Sequence, residues 1–215
     1  MRCIDLIASF ELEINKLGDA INKPVTEDSL YWINQAVVKF VKDRFNGNAP
    51  KRTSYEQNEK RTRDLINLFR EDVWENPEVS ATHTDYDEYE YTYPGYGGEE
   101  DTRDRMLYVL NEDVVISDTA GEYLTDTCVF ECTADNFMYR INNSLTDFHY
   151  KYHRARPLRV RTKEGFRLLT DKKYKICRYS LGYLKVPTEL DAKDPYTEYT
   201  DFEDNIWLEI VKIAA

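Results

Sequence analysis

Three clusters have residue types that chemistry uses. His149 and His153 stand i,i+4, which on a helix puts two imidazoles on one face, as a metal site needs. They sit among Tyr150, Lys151, Tyr152 and Arg154 with no acid between them, and in a strand they are too far apart to chelate, so the alternative is plain basic surface. Cys128 and Cys132 are separated by three residues, and zinc would need two further soft ligands nearby. Without those, two buried thiols are the simpler reading. Asp85, Asp87, Glu88 and Glu90 are oxygen donors suited to calcium or magnesium, yet they lack the order of an EF-hand loop and also read as a solvated acidic loop. No phosphate-binding glycine loop, dinucleotide fingerprint, nucleophile elbow or H-E-x-x-H occurs. A carboxylate pair has no fixed spacing and leaves no sequence trace. The expectation is a chain with no catalytic residue, no metal and no cofactor, hence not an enzyme.

Charge is more informative. The chain of 215 residues has a net charge of −11, against general nucleic-acid affinity. Residues 151–178 hold eleven Lys/Arg against Glu164 and Asp171, a local +9 that leaves −20 elsewhere. Aromatics are interleaved with this basic stretch (Tyr152, Phe166, Tyr174, Tyr179), as in single-strand nucleic-acid platforms. The same pattern fits a charged interface with an acidic neighbour, or a solvated sheet face. A chain so divided can pair with copies of itself, acidic patch on basic patch. The expected interface residues are Trp32, Lys39, Asp85, Asp87, Glu88, Glu90, Arg154, Arg156, Arg159, Arg161 and Arg167. Seventeen tyrosines against three histidines suit extended structure and interfaces better than catalysis. Four scattered cysteines without a C-x-x-C read as reduced thiols of a cytosolic product. No run of eighteen apolar residues exists, and the acidic, helically spaced N-terminus is unlike a secretory signal.

The elements that would position these residues begin with a helix over 3–17, where Cys3, Ile7, Phe10, Ile14 and Leu17 share a face and Gly18 ends the pattern. The central stretch is 29–45. Leu30, Ile33, Val37, Phe40 and Val41 recur at helical spacing, and Tyr31, Val38 and Phe45 widen that face. Thr26 serves as N-cap, Glu27 and Asp28 charge the first turn, and Asn46-Gly47 closes the helix. Gln35, Lys39, Lys42 and Asp43 form the far face, where Trp32 also projects. That Trp either covers its own surface or meets another chain.

A third helix is expected over 54–69, opened by a capping box at Thr53 or Ser54 and reaching Val73 before Pro77. Residues 78–101 read as a tyrosine-rich acidic hairpin or loop. Residues 106–110 and 114–116 read as two strands split by a turn at Asn111-Glu112-Asp113, 127–133 as a strand and 135–145 as a short helix. Over 157–186 the alternation is that of strands, with Leu158 and Val160 on one face and Arg159 and Arg161 on the other. A last helix from a Thr200/Glu203 capping box carries Phe202, Ile206, Ile210 and Ile213 and stops in mid-pattern, as if the natural chain continued past Ala215.

The fold class expected is α+β: a helical bundle of three N-terminal helices plus a C-terminal helix, with a long β-rich insertion between helix three and the last. The domain boundaries would be 1–76 for the bundle core, 77–201 for the insertion with its loops and arms, and 202–215 for the helix packing back on the bundle.

Four segments carry a resemblance. They are Tyr31-Trp32-Ile33-Asn34-Gln35-Ala36, then Glu56-Gln57-Asn58-Glu59-Lys60-Arg61-Thr62-Arg63-Asp64-Leu65, then Tyr183-Leu184-Lys185-Val186-Pro187, and Glu209-Ile210-Val211-Lys212-Ile213-Ala214-Ala215. In this order the chain resembles ring proteins, head–tail connectors or adaptors, of crAss-like tailed phages. The resemblance covers the two ends of the chain and none of its motifs is catalytic. It implies a virion structural protein of the neck or tail barrel, made in the host bacterial cytoplasm, in a homo-oligomeric ring commonly of twelve copies. The implied partners are the portal protein, neighbouring neck or tail rings, and viral DNA passing through the channel. The alternative is a nucleic-acid-binding or packaging accessory protein using 151–178.

Overall fold

Leu30, Ile33, Ala36, Val37, Phe40 and Val41 return every three or four residues, and burying them fixes the longest helix among the described residues. The computed structural model describes residues 1–16, 25–46, 59, 62–96, 104–118, 124–149, 155–193 and 195–215. The chain separates into two compact units: Met1–Phe69 with Val186–Ala215, and Arg70–Lys185.

In the first unit, α1 (Cys3–Asn15) buries Cys3, Leu6 and Phe10. α2 (Thr26–Asn46) begins at its expected cap rather than one residue after it, because Thr26 is itself helical and the Val25 carbonyl accepts the Ser29 amide. Its buried residues span an arc of about 140° at 100° per residue. Tyr31, Val38 and Phe45 do not widen that arc, since they remain 57%, 41% and 38% exposed. The C-terminal helix (Asp204–Ala214, α4 below) is capped by Glu203, with no side-chain capping box, and buries Ile206, Trp207, Ile210 and Val211. It packs on both α1 and α2. Phe202 meets Phe40 edge-on at 5.8 Å and Trp207 at 5.1 Å, and Arg44 bridges Asp64 and Glu209 at 3.0 and 2.6 Å. Among the described residues no helix is long and apolar enough to cross a membrane.

Among the described residues, the second unit is built of strands and one short helix. A four-stranded sheet has the order β1-β9-β4-β5, from β1 (Phe69–Glu75), β9 (Tyr174–Lys185), β4 (Met106–Asp118) and β5 (Leu124–Cys128). A five-stranded sheet has the order β2-β3-β8-β7-β6, from β2 (Ala81–Thr82), β3 (Asp87–Thr92), β8 (Gly165–Thr170), β7 (Leu158–Arg161) and β6 (Phe130–Cys132). Of the strand pairs whose direction is established, β6–β7 is parallel and the others are antiparallel. Tyr89, Tyr91, Phe166 and Leu168 from the larger sheet join Val114, Ile116, Tyr174, Ile176, Tyr179 and Tyr183 from the smaller in one core. The other face of the larger sheet, with Leu158, Val160 and Leu169, is covered by Phe148 and by α3 (Phe137–Asn142) through Ile141. Tyrosine serves here as the core of extended structure, one of the two uses expected from composition. Tyr91 stacks on Phe166 at 5.3 Å, and Trp74 on Tyr179 at 5.3 Å.

The expected layout of three N-terminal helices, a C-terminal helix and a β-rich insertion is overturned. The stretch 54–69 is helical at 62–64, passes through a 3-10 turn at Ile66–Leu68 and gives way to strand β1. Leu65, Ile66, Phe69 and Val73 fit a helical seam, but 69–75 also alternates strictly between more and less exposed residues. Pairing with β9 and the stacking of Trp74 decide for the strand. The 54–58 and 60–61 parts of that expectation lie outside the described residues, and residue 59 is helical. The two sheets form a unit with its own core, which in sequence lies between the two parts of the first unit.

The turn expected at Asn111-Glu112-Asp113 is also absent. β4 runs straight through these residues, with register irregularities between Met106 and Tyr108, Val109 and Asn111, and Val115 and Ile116. Gly182 faces Asn111 there, and any Cβ at 182 would collide with the Asn111 side chain.

Candidate interaction surfaces

The motif on α2 divides its work by face. Ile33 and Ala36 are buried. The Asn34 amide nitrogen donates to the Leu190 carbonyl at 3.1 Å, and its oxygen accepts the Leu190 amide at 3.0 Å. Asn34 thereby pins the segment leading to the last helix with the two bonds a strand neighbour would have made. Tyr31 and Trp32 do none of this. They meet each other edge-on at 5.5 Å and Trp32 is 54% exposed. Lys39 is exposed as well. Exposed aromatics of this size are enriched where chains meet.

The acidic and basic segments, expected to face other copies, meet inside one chain. β3 pairs with β8, which places Glu90 opposite Arg167, and the Arg167 guanidinium reaches Glu88 at 3.3 Å. Glu88 is buried, and His83 lies 3.4 Å from its second oxygen. Arg159 is withdrawn from the surface altogether, at 5% exposure. Its guanidinium contacts Glu112 of β4 at 2.7 Å and Glu131 of β6 at 2.9 Å, and Arg161 holds the other Glu131 oxygen at 2.6 Å. The Tyr179 hydroxyl donates to Glu112 at 2.7 Å. Burial drives the Tyr179 phenol far above its ordinary value, and the Glu112 carboxylate adds to this.

Arg159 and Glu88 are therefore corrected from interface residues to internal partners. The cause is the packing of the sheets: β7 is covered at Arg159 as on its Leu–Val face, and Glu88 is covered where β3 pairs with β8. Of the remaining expected residues, Asp85, Glu90, Arg156 and Arg161 are exposed, Asp87 and Arg167 are half-buried, and Arg154 lies outside the described residues.

An open polar cleft of about 430 Å³ is lined by Thr84, Asp85, Ile141, Asn142, His149, Asp171, Lys172 and Lys173. His149 Nδ1 lies 3.5 Å from a carboxylate oxygen of the buried Asp171. His153, its expected metal partner, lies outside the described residues. Cys128 is exposed, Cys132 is buried, and none of the four cysteines is joined in a disulfide. Among the described residues no three His, Cys, Asp or Glu side chains are grouped to hold a metal ion.

Glu112 and Glu131 escaped sequence reading because one sat in a supposed turn and the other beside a supposed zinc-type cysteine. An unpaired acid inside a β-rich run, with arginines alternating in a later strand, was the available signal. No protein-family model and no curated protein matches the chain.

Proposed function

We propose that the chain is a structural protein of a tailed-phage virion, forming an oligomeric ring, twelvefold as in the family it resembles, in the portal–tail connector through which DNA passes. The observation that carries this reading is the division of labour on α2. Within Tyr31-Trp32-Ile33-Asn34-Gln35-Ala36, the interior residues and Asn34 hold the fold while the large aromatic Trp32 is left outside with Lys39. A motif whose most costly side chain does no internal work is a motif for contact. The reading needs no catalytic residue, metal or cofactor. Its partners are further copies, the portal protein and adjacent neck or tail rings. Contact between copies then rests on Trp32, Lys39 and the exposed charges Asp85, Glu90 and Arg156, since Arg159, Arg161 and Glu88 are already paired internally.

The test is assembly of the purified chain, alone and with its portal protein. Closed rings are expected, and Trp32→Asp should reduce them at least tenfold while leaving the circular dichroism spectrum unchanged. Rings unaffected by Trp32→Asp would remove α2 from the interface.

A second reading, nucleic-acid binding, is favoured by Lys173, Lys175 and Arg178, which stay exposed at the β8–β9 hairpin and along β9. It requires a DNA affinity that falls steeply with salt.

A further inference from the structure

Glu27, Tyr31, Val38 and Lys42 fall within about 60° of one another on α2, at 100° per residue, and Trp32 lies about 100° further round. All four are exposed. Their spacing is symmetrical in a particular sense: acid, three residues, apolar, six residues, apolar, three residues, base. Turned end for end about a point between Asn34 and Gln35, the face presents base where it had acid, and apolar where it had apolar. We propose that α2 carries a self-complementary face that pairs two copies of this chain antiparallel, with Tyr31 of each against Val38 of the other and Glu27 of each against Lys42 of the other.

An isologous contact requires this property, because residue i of one copy meets j of the second while j meets i. A face chosen only for solubility has no reason to place its acid and its base at equal distances from the centre of an apolar pair. The contact line from Glu27 to Lys42 is about 22 Å long at 1.5 Å per residue. One helix pair buries less than the roughly 800 Å² per partner of a standard interface, so the pair is weak and concentration-dependent. Charge complementarity fixes its antiparallel register. The proposal does not rest on the ring reading: a head-to-tail ring uses two different patches, whereas this contact uses one patch twice.

Sedimentation velocity on the 215-residue chain between about 1 and 100 µM tests it, with circular dichroism as the control for folding. A reversible two-copy species is expected. Tyr31→Asp should raise its Kd at least tenfold, the scale of losing one interface anchor. Lys42→Glu alone should weaken it several-fold, Glu27→Lys alone likewise, and the double exchange should recover most of the loss because complementarity is restored. A single-copy mass throughout, a dimer indifferent to Tyr31→Asp, or a double variant no tighter than either single one would each overturn the proposal. Closed rings as the sole assembled species would overturn it while sparing the ring reading, and dimers without rings would do the reverse.

Discussion

Replacing Arg159 by Ala should be among the most damaging single changes in the Arg70–Lys185 unit. The Arg159 side chain is 6% exposed and Glu112, its partner at 2.7 Å, is 12% exposed. After the change Glu131 still holds Arg161 at 2.6 Å, whereas Glu112 keeps only the Tyr179 hydroxyl. The loss is that of breaking one buried pair and stranding its carboxylate, about 3–5 kcal/mol. At a urea slope of about 2 kcal/mol per M this lowers the unfolding midpoint by roughly 1.5–2.5 M.

The complementary change is Arg159→Met with Glu112→Leu and Tyr179→Phe. It removes both charges and the hydroxyl that would otherwise lose its acceptor, and it should return most of the stability, since apolar replacement of a buried pair is often neutral. Trp74 stacks on Tyr179 and is the sole Trp of this unit, so its fluorescence in a Trp32→Phe, Trp207→Phe background reports the transition. A loss below about 1 kcal/mol for Arg159→Ala, or a triple variant as unstable as the single one, would refute the reasoning.

Two further outcomes are expected. Burial alone would raise the Glu131 carboxyl, but Arg159 and Arg161 outweigh it and hold it below its ordinary value. A depressed folded value gives stability that is present above the unfolded value of about 4.3 and is lost as pH falls through the lower folded one. Urea midpoints should therefore drop between pH 6 and pH 3, and Glu131→Gln should shrink that drop; an unchanged drop would discount this group. Gly165→Ala places a Cβ against the Tyr91 carbonyl oxygen across the β3–β8 ladder. Neither backbone can yield cheaply, so a loss of about 1–3 kcal/mol and faster amide exchange over 87–92 are expected. Protection equal to the parent would contradict the close approach.

How much of this was legible in the sequence depends on how far apart the deciding partners lie. α1, α2 and the last helix follow in outline from local periodicity and β7, β8 and β9 from strand patterning, but the buried residues do not all follow, since β8 is covered on both faces and Ile213 of the last helix is exposed. β1 was not legible, since Leu65, Ile66, Phe69 and Val73 satisfy a helical period too and a strand more than 100 residues away settles the matter. Glu112 in Asn-Glu-Asp has the composition of a turn and is held in a strand by Arg159 and Tyr179, 47 and 67 positions later. The segregated charges were expected to meet between copies, whereas acid and base meet within the chain at Glu88–Arg167 and Glu112–Arg159. Sequence has no means of telling a partner in the same chain from one in a copy, and the β3–β8 pairing makes Glu88 and Arg167 the former. Trp32 needed no distant partner: its angle on α2 alone put it outside.

The central claim is the ring, and end-on class averages from electron microscopy of the purified chain with its portal protein test it most directly. The expected result is a closed, rotationally symmetric ring around an open channel, with α2 and Trp32 at the boundary between neighbouring subunits. Particles that never close, or a closed ring in which Trp32 faces solvent away from every boundary, would contradict the account.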